Sequence, residues 1–209
     1  MVKSRSTFQT FIKAIWAGIL IGIACIANLS VGGGVIGAIS FCIGLLAIVH
    51  SKLSLYTGMI GKTVYNPLGG EKMTALKLVV ALVGNIVGTF LMSLVLRFTR
   101  LNYLVGKAEE IAISKLNDSY ISILLLATLC GVLVYLAVYK FQGGNITDLA
   151  VLLFCVAVFV IIGFEHSIAS SFYFFFSLNW KAFLYFLLMV LGNSLGSCVI
   201  AGAIKQNSK

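Results

Sequence analysis

Ile161-Ile162-Gly163-Phe164-Glu165-His166-Ser167-Ile168-Ala169-Ser170 lies inside a mostly apolar run that extends from Leu149 to Leu187. Glu165 and His166 interrupt it, in a chain with six acids and two histidines. An ionisable group inside a hydrophobic span costs about 2.5–3.5 kcal/mol on insertion scales, so it usually lines a polar cavity. The competing reading is a structural pair that hydrogen-bonds helix ends inside the protein. Length bears on the choice. A straight crossing needs about 20 residues at 1.5 Å each. The run from Leu149 to Phe176 is too long for one crossing and too short for two, which predicts a helix broken at Glu165-His166.

The rest of the chain agrees with a membrane protein. It is 60% hydrophobic and 10% charged, against about 25% charged in a soluble domain. A net charge of +9 in a soluble chain would suggest nucleic acid, but the basic residues here cluster at the ends of apolar runs. Nucleic acid is therefore rejected as a partner. Twenty-one Gly and one Pro suit closely packed membrane helices. Cys25, Cys42, Cys130, Cys155 and Cys198 each stand alone in apolar sequence, with no CxxC or Cys/His cluster, so neither metal nor cofactor is expected. They read as small apolar packing. Lys3 and Arg5 precede an apolar stretch that is read as the first span rather than a signal peptide, since further spans follow.

Six passes are expected within a single domain over 1–209. The first covers about Ala14 to Asn28 with an amphipathic lead-in from Phe8 to Lys13. The second starts at Val35, breaks at His50-Ser51-Lys52-Leu53-Ser54, and resumes from Leu55 to Val64. The third covers about Leu76 to Leu96, and a mixed-charge connection leads to the fourth, about Tyr120 to Tyr139. The broken fifth follows, and the sixth covers about Ala182 to Ile204. Lys3, Arg5, Lys13, Lys62, Lys72, Lys77, Lys140, Lys205 and Lys209 fall on one side, and Arg97, Arg100, Lys107, Lys115 and Lys181 on the other. The bias places both termini in the cytoplasm.

The halves echo one another. Gly84-Asn85-Ile86-Val87-Gly88 matches Gly192-Asn193-Ser194-Leu195-Gly196 at an offset of 108, and the breaks at Tyr56-Thr57 and Glu165-His166 are related by 109. Inverted repeats, roughly 8–100 and 115–205, would then meet at mid-membrane. Each break leaves a helix N-terminus, near Thr57-Gly58 and near His166-Ser167. Unpaired N–H groups and the positive dipole end suit a small anion, with Thr57 and His166 as side-chain donors. A plain N-cap remains the alternative for Thr57. Glu165, about 100° away from His166 on a helix, is read as a partner for loop backbone or a neighbouring subunit. His50 reads as a solvated or capping residue. Glu165, His166 and Ser167 are the residue types of a hydrolase triad, but neighbours in sequence cannot converge as one requires. No enzyme is expected.

Gly163-Phe164-Glu165-His166-Ser167-Ile168-Ala169 resembles the fifth-helix motif of the formate/nitrite transporter family, and Leu55-Tyr56-Thr57 resembles the loop that breaks its second helix. Lys13 with Ala17-Gly18 and Gly22, and Leu191-Gly192-Asn193, match its first and sixth helices. The resemblance implies an aquaporin-like protomer in a homopentamer, in a bacterial-type inner or plasma membrane, that passes formate, nitrite, hydrosulfide or short monocarboxylates with proton coupling. It assigns the pore centre to His166, Thr57 and Asn193, and the apolar constrictions to Phe41, Leu45, Leu55, Tyr56 and Phe159. Lys13 and Lys115 become vestibule lysines, so Lys115→Ala is expected to lower uptake with little effect on folding. Ser54, Tyr56, Gly131 and Ser170-Ser171 depart from the family pattern; Gly131 in place of asparagine removes a polar group expected near the pore. Two rivals stand beside this reading. A neutral-solute channel of aquaporin type would need Asn-Pro-Ala at both breaks, and Asn66-Pro67 lies outside them. A non-transporting membrane subunit would use Gly18/Gly22 and Gly84/Gly88 as assembly faces.

Overall fold

The structure, a computed structural model, describes residues 6–69, 73–141, 143 and 145–208. Lys3, Arg5, Lys72 and Lys209, which enter the charge bias, lie outside the described residues. The helices are α1 (Thr7–Ser30), α2 (Gly34–His50), α3 (Tyr56–Met59), α4 (Ala75–Phe98), α5 (Val105–Leu116), α6 (Tyr120–Val138), α7 (Ile146–Ile162), α8 (Ser167–Phe174) and α9 (Trp180–Gln206). α1, α4, α6 and α9 are each long and apolar enough to cross a membrane, and α7 with α8 forms a further apolar pair bent by 43°. α2 is a shorter apolar helix. After the break it is followed by α3 and a 3-10 turn, Ile60–Thr63. The protein is an all-α, multi-pass integral membrane protein.

Local chemistry explains where the elements begin and end. The expected lead-in and first span are one helix. Ser6 accepts from Gln9 N–H and the Gln9 side chain accepts from Ser6 N–H, both at 3.2 Å, a reciprocal cap that starts α1 ahead of Phe8. The mixed-charge connection is itself largely helical, as α5. Ala108, Ala112 and Leu116 recur every four residues and are buried, while Glu109, Glu110 and Lys107 face outward, giving one short apolar stripe. α7 stops at Gly163, whose φ of 83° is the left-handed conformation that glycine adopts without a Cβ penalty. Phe159 O then accepts from both Gly163 N–H and Phe164 N–H.

α1 packs on α4 and α6 on α9, the two most extensive helix pairs, while α2 and α7 join the halves. Equivalent contacts occur in each pair. A Cβ at Gly84 or Gly192 would meet Ala14 or Ala127, one at Gly88 or Gly196 would meet the carbonyl of Ile15 or Thr128, and one at Gly18 or Gly131 would meet the carbonyl of Asn85 or Asn193. Small residues thus let backbones touch. This overturns two expectations. Gly18/Gly22 and Gly84/Gly88 are not outward assembly faces, because they face each other's helix within one chain. Gly131 is not a lost pore group; it is the counterpart of Gly18 and sits against the Asn193 backbone, where a side chain has no room.

Candidate functional site

The two asparagines of the repeated Gly-Asn-x-x-Gly motif hold the two broken helices. Asn85, on α4, accepts from Tyr56 N–H at 2.8 Å and donates to Ala14 O at 2.8 Å and Ser54 O at 2.9 Å. Asn193, on α9, accepts from Ser167 N–H at 2.9 Å and donates to Ala127 O and Glu165 O, both at 2.8 Å. Each amide therefore ties together a long helix, the end of a break, and the first N–H of the helix beyond it. Both side chains are fully buried, with both amide N–H donors in use and the oxygen accepting one bond. The expectation that Asn193 contacts a guest is corrected: it has no donor left to offer and positions the backbone instead. Asn85 does the same work and was legible only as half of a repeat.

These bonds also correct the alignment of the breaks. Tyr56 and Ser167 are the first helical residues and Leu55 and His166 the caps, so Leu55 is the counterpart of His166. The expected match of Thr57 with His166 is displaced by two residues. Thr57 instead meets His166 across the junction, Oγ1 to Nε2 at 2.8 Å. The free amides expected at both helix starts are mostly occupied: Tyr56 N–H and Ser167 N–H by the asparagines, and Ala169 N–H by His166 Nδ1 at 3.1 Å.

That last bond sets the histidine's tautomer. Nδ1 accepts, so its lone pair is used and the ring proton of neutral His166 sits on Nε2. Nε2–H then donates to Thr57 Oγ1, and the Thr57 hydroxyl proton is left without an acceptor among the described residues. Both side chains are buried. Phe159 stacks on the imidazole with centroids 5.7 Å apart and planes 13° apart, and Phe41 meets Phe159 edge-on at 5.8 Å. Leu45 lies one turn beyond Phe41 on α2, and Leu55 caps α3; both are buried. The junction thus brings Phe41, Leu55, Tyr56, Thr57, Phe159 and His166 to the meeting of α2, α3, α7 and α8. It combines one imidazole and one hydroxyl with aromatic and aliphatic walls.

Two expected charges lie elsewhere. Glu165 pairs with Lys115 of its own chain, Nζ to Oε2 at 2.6 Å, and the same oxygen accepts from Ser170 Oγ at 3.0 Å. This corrects the expected backbone or neighbouring-subunit partner. It also changes Lys115, whose ammonium is drawn against a buried carboxylate, with 17% of its side chain exposed. The pair is neutral as a unit, so its pull on an outside anion is much weaker than a bare lysine's. Lys13 is half-buried beside Ala14, whose carbonyl anchors Asn85. Ser171, the other departure near this helix, exchanges a hydrogen bond with Thr89 at 2.9 Å.

The family model described as Formate/nitrite transporter matches residues 2–206. The chain belongs to the formate/nitrite transporter family. The Formate channel FocA of Escherichia coli is 28% identical over 195 residues, covering 81% of this chain and 66% of that protein, just under two thirds of the relative's length. Among solved structures, one titled "Pentameric formate channel with formate bound" matches with a TM-score of 0.73 and 24% identity, over 97% of this chain and 95% of that one. A second, titled "FNT family ion channel", has a TM-score of 0.78 and 19% identity, over 97% and 90%. Both are similar in fold to this family member.

Proposed function

We propose that this formate/nitrite transporter family member is a homopentameric channel for small monovalent anions, with formate, nitrite, hydrosulfide and short monocarboxylates as the substrate class. The observation that carries the reading is the Thr57–His166 hydrogen bond at the meeting of two interrupted helices, walled by Phe159 and, behind it, Phe41. A bare anion in such an apolar enclosure is prohibitively expensive, and neutralising it removes most of that cost. A formate-sized anion would be held near the Thr57 hydroxyl, take up a proton, and cross the aromatic walls as the neutral acid. Direct donation by His166 needs the imidazolium, which has no lone pair for Ala169 N–H. The bonding of Nδ1 therefore favours a proton drawn from water while neutral His166 holds Thr57 in place. Both termini are placed in the cytoplasm, with Lys13 adding positive potential on the path.

Radiolabelled formate and glycerol flux in proteoliposomes tests this. Formate entry should exceed that of protein-free vesicles and accelerate when the outside is acidified, with glycerol at the protein-free level. Formate entry at the protein-free level, or glycerol entry that matches formate, overturns it.

A further inference from the structure

Beside the Thr57–His166 pair lies a second polar chain that the proposed transport cycle does not use. Tyr56 O–H and Ser194 Oγ are 2.8 Å apart, linking the first residue of α3 to α9 one position after Asn193. Ser194 Oγ lies 2.6 Å from Val190 O on its own helix. Two oxygens that close require a proton between them, and the carbonyl has none to give, so Ser194 donates to Val190. Tyr56 must then donate to Ser194. The phenol proton is directed into the helix, and the phenol oxygen keeps only acceptor capacity.

We infer that Tyr56, locked by Ser194, is a specificity-determining residue of the constriction, an oriented acceptor that passes the protonated acid and rejects the anion. An acid O–H can donate to that oxygen, whereas an anion would meet its lone pairs. Thr57, one residue on, has the opposite polarity, since its oxygen is used by His166 and its proton is available. A guest between them meets a donor suited to the anion and an acceptor suited to the acid, so the pair of hydroxyls favours a guest that has taken up a proton. The inference rests on the transport reading above.

The test compares formate, which can be protonated, with nitrate, whose parent acid is fully ionised, in proteoliposomes of the full chain. Formate is read by luminal acidification and nitrate by a voltage dye. Tyr56→Phe removes the acceptor and should lower formate-driven acidification about threefold to tenfold, the worth of one hydrogen bond, while nitrate entry rises because the repelling lone pairs are gone. Ser194→Ala frees the phenol proton to turn toward the path and should raise the nitrate-to-formate ratio by a similar factor. Matching gel-filtration profiles exclude misfolding, and neither substitution touches the Tyr56 N–H bond to Asn85. A ratio unchanged in both variants, both fluxes scaled together, or a shift in the opposite sense overturns the inference while leaving the transport reading intact. No formate flux in the unaltered protein sinks both.

Discussion

At His166 the two ring nitrogens have different partners, a backbone amide on Nδ1 and the Thr57 hydroxyl on Nε2. The sequence marked this residue, because a histidine inside an apolar run stands out. It did not disclose the tautomer, which depends on the cap geometry of α8. If water supplies the proton, His166→Asn should slow formate uptake and keep its acceleration by external acid; uptake that becomes independent of pH would show that the imidazole donates directly. The asparagines are the converse case. Their chemistry is ordinary in sequence, and only the three bonds each makes reveal what they do. Asn193→Ala would leave Ser167 N–H and Glu165 O, at the break, without this partner. At about 1–3 kcal/mol for each buried group left unpaired, it should lower the detergent melting temperature sharply. Asn85→Ala should do so by a similar amount, because its bonds are equivalent. A mild effect at one site alone would show that the two breaks are not held in the same way.

Helices in this chain are positioned by contacts that need small residues. Gly131→Asn would push a side chain into the Asn193 backbone and separate α6 from α9. The expected result is loss of the folded protein from detergent extracts. Gly106→Ala, with open space around it, should be neutral. Wild-type yield of Gly131→Asn would refute this account of the helix pair. α5 supplies the other element-scale prediction. Lys115→Ala strands the Glu165 carboxylate, and breaking a buried pair costs about 3–5 kcal/mol, reduced here by the partial exposure of the lysine. Contrary to the sequence-based expectation, folding should suffer. Adding Glu165→Gln should recover most of the melting temperature; no recovery in the double variant would mean that the lysine matters for something other than the ion pair.

For the whole molecule, exposed apolar side chains along α2 (Val35, Ile36, Ile39 and Ile43) and at Leu125, Leu129 and Val199 must face lipid or neighbouring copies. Native mass measurement should find five copies under the proposed assembly, and a monomer would reject it. The sequence by itself determined the membrane class, the positions of both interruptions, the Gly-Asn-x-x-Gly echo and the polar pair at Glu165-His166. These follow from hydropathy, length and residue type, which are properties of single segments. It misaligned the two breaks by two residues, left Asn85 without a role, treated Gly131 as a missing pore group, and gave Glu165 the wrong partner. Each of those depends on which backbone atom from a distant helix arrives within hydrogen-bonding or van der Waals reach. Such arrivals are fixed by how closely α1 approaches α4 and α6 approaches α9, and no local pattern encodes that distance.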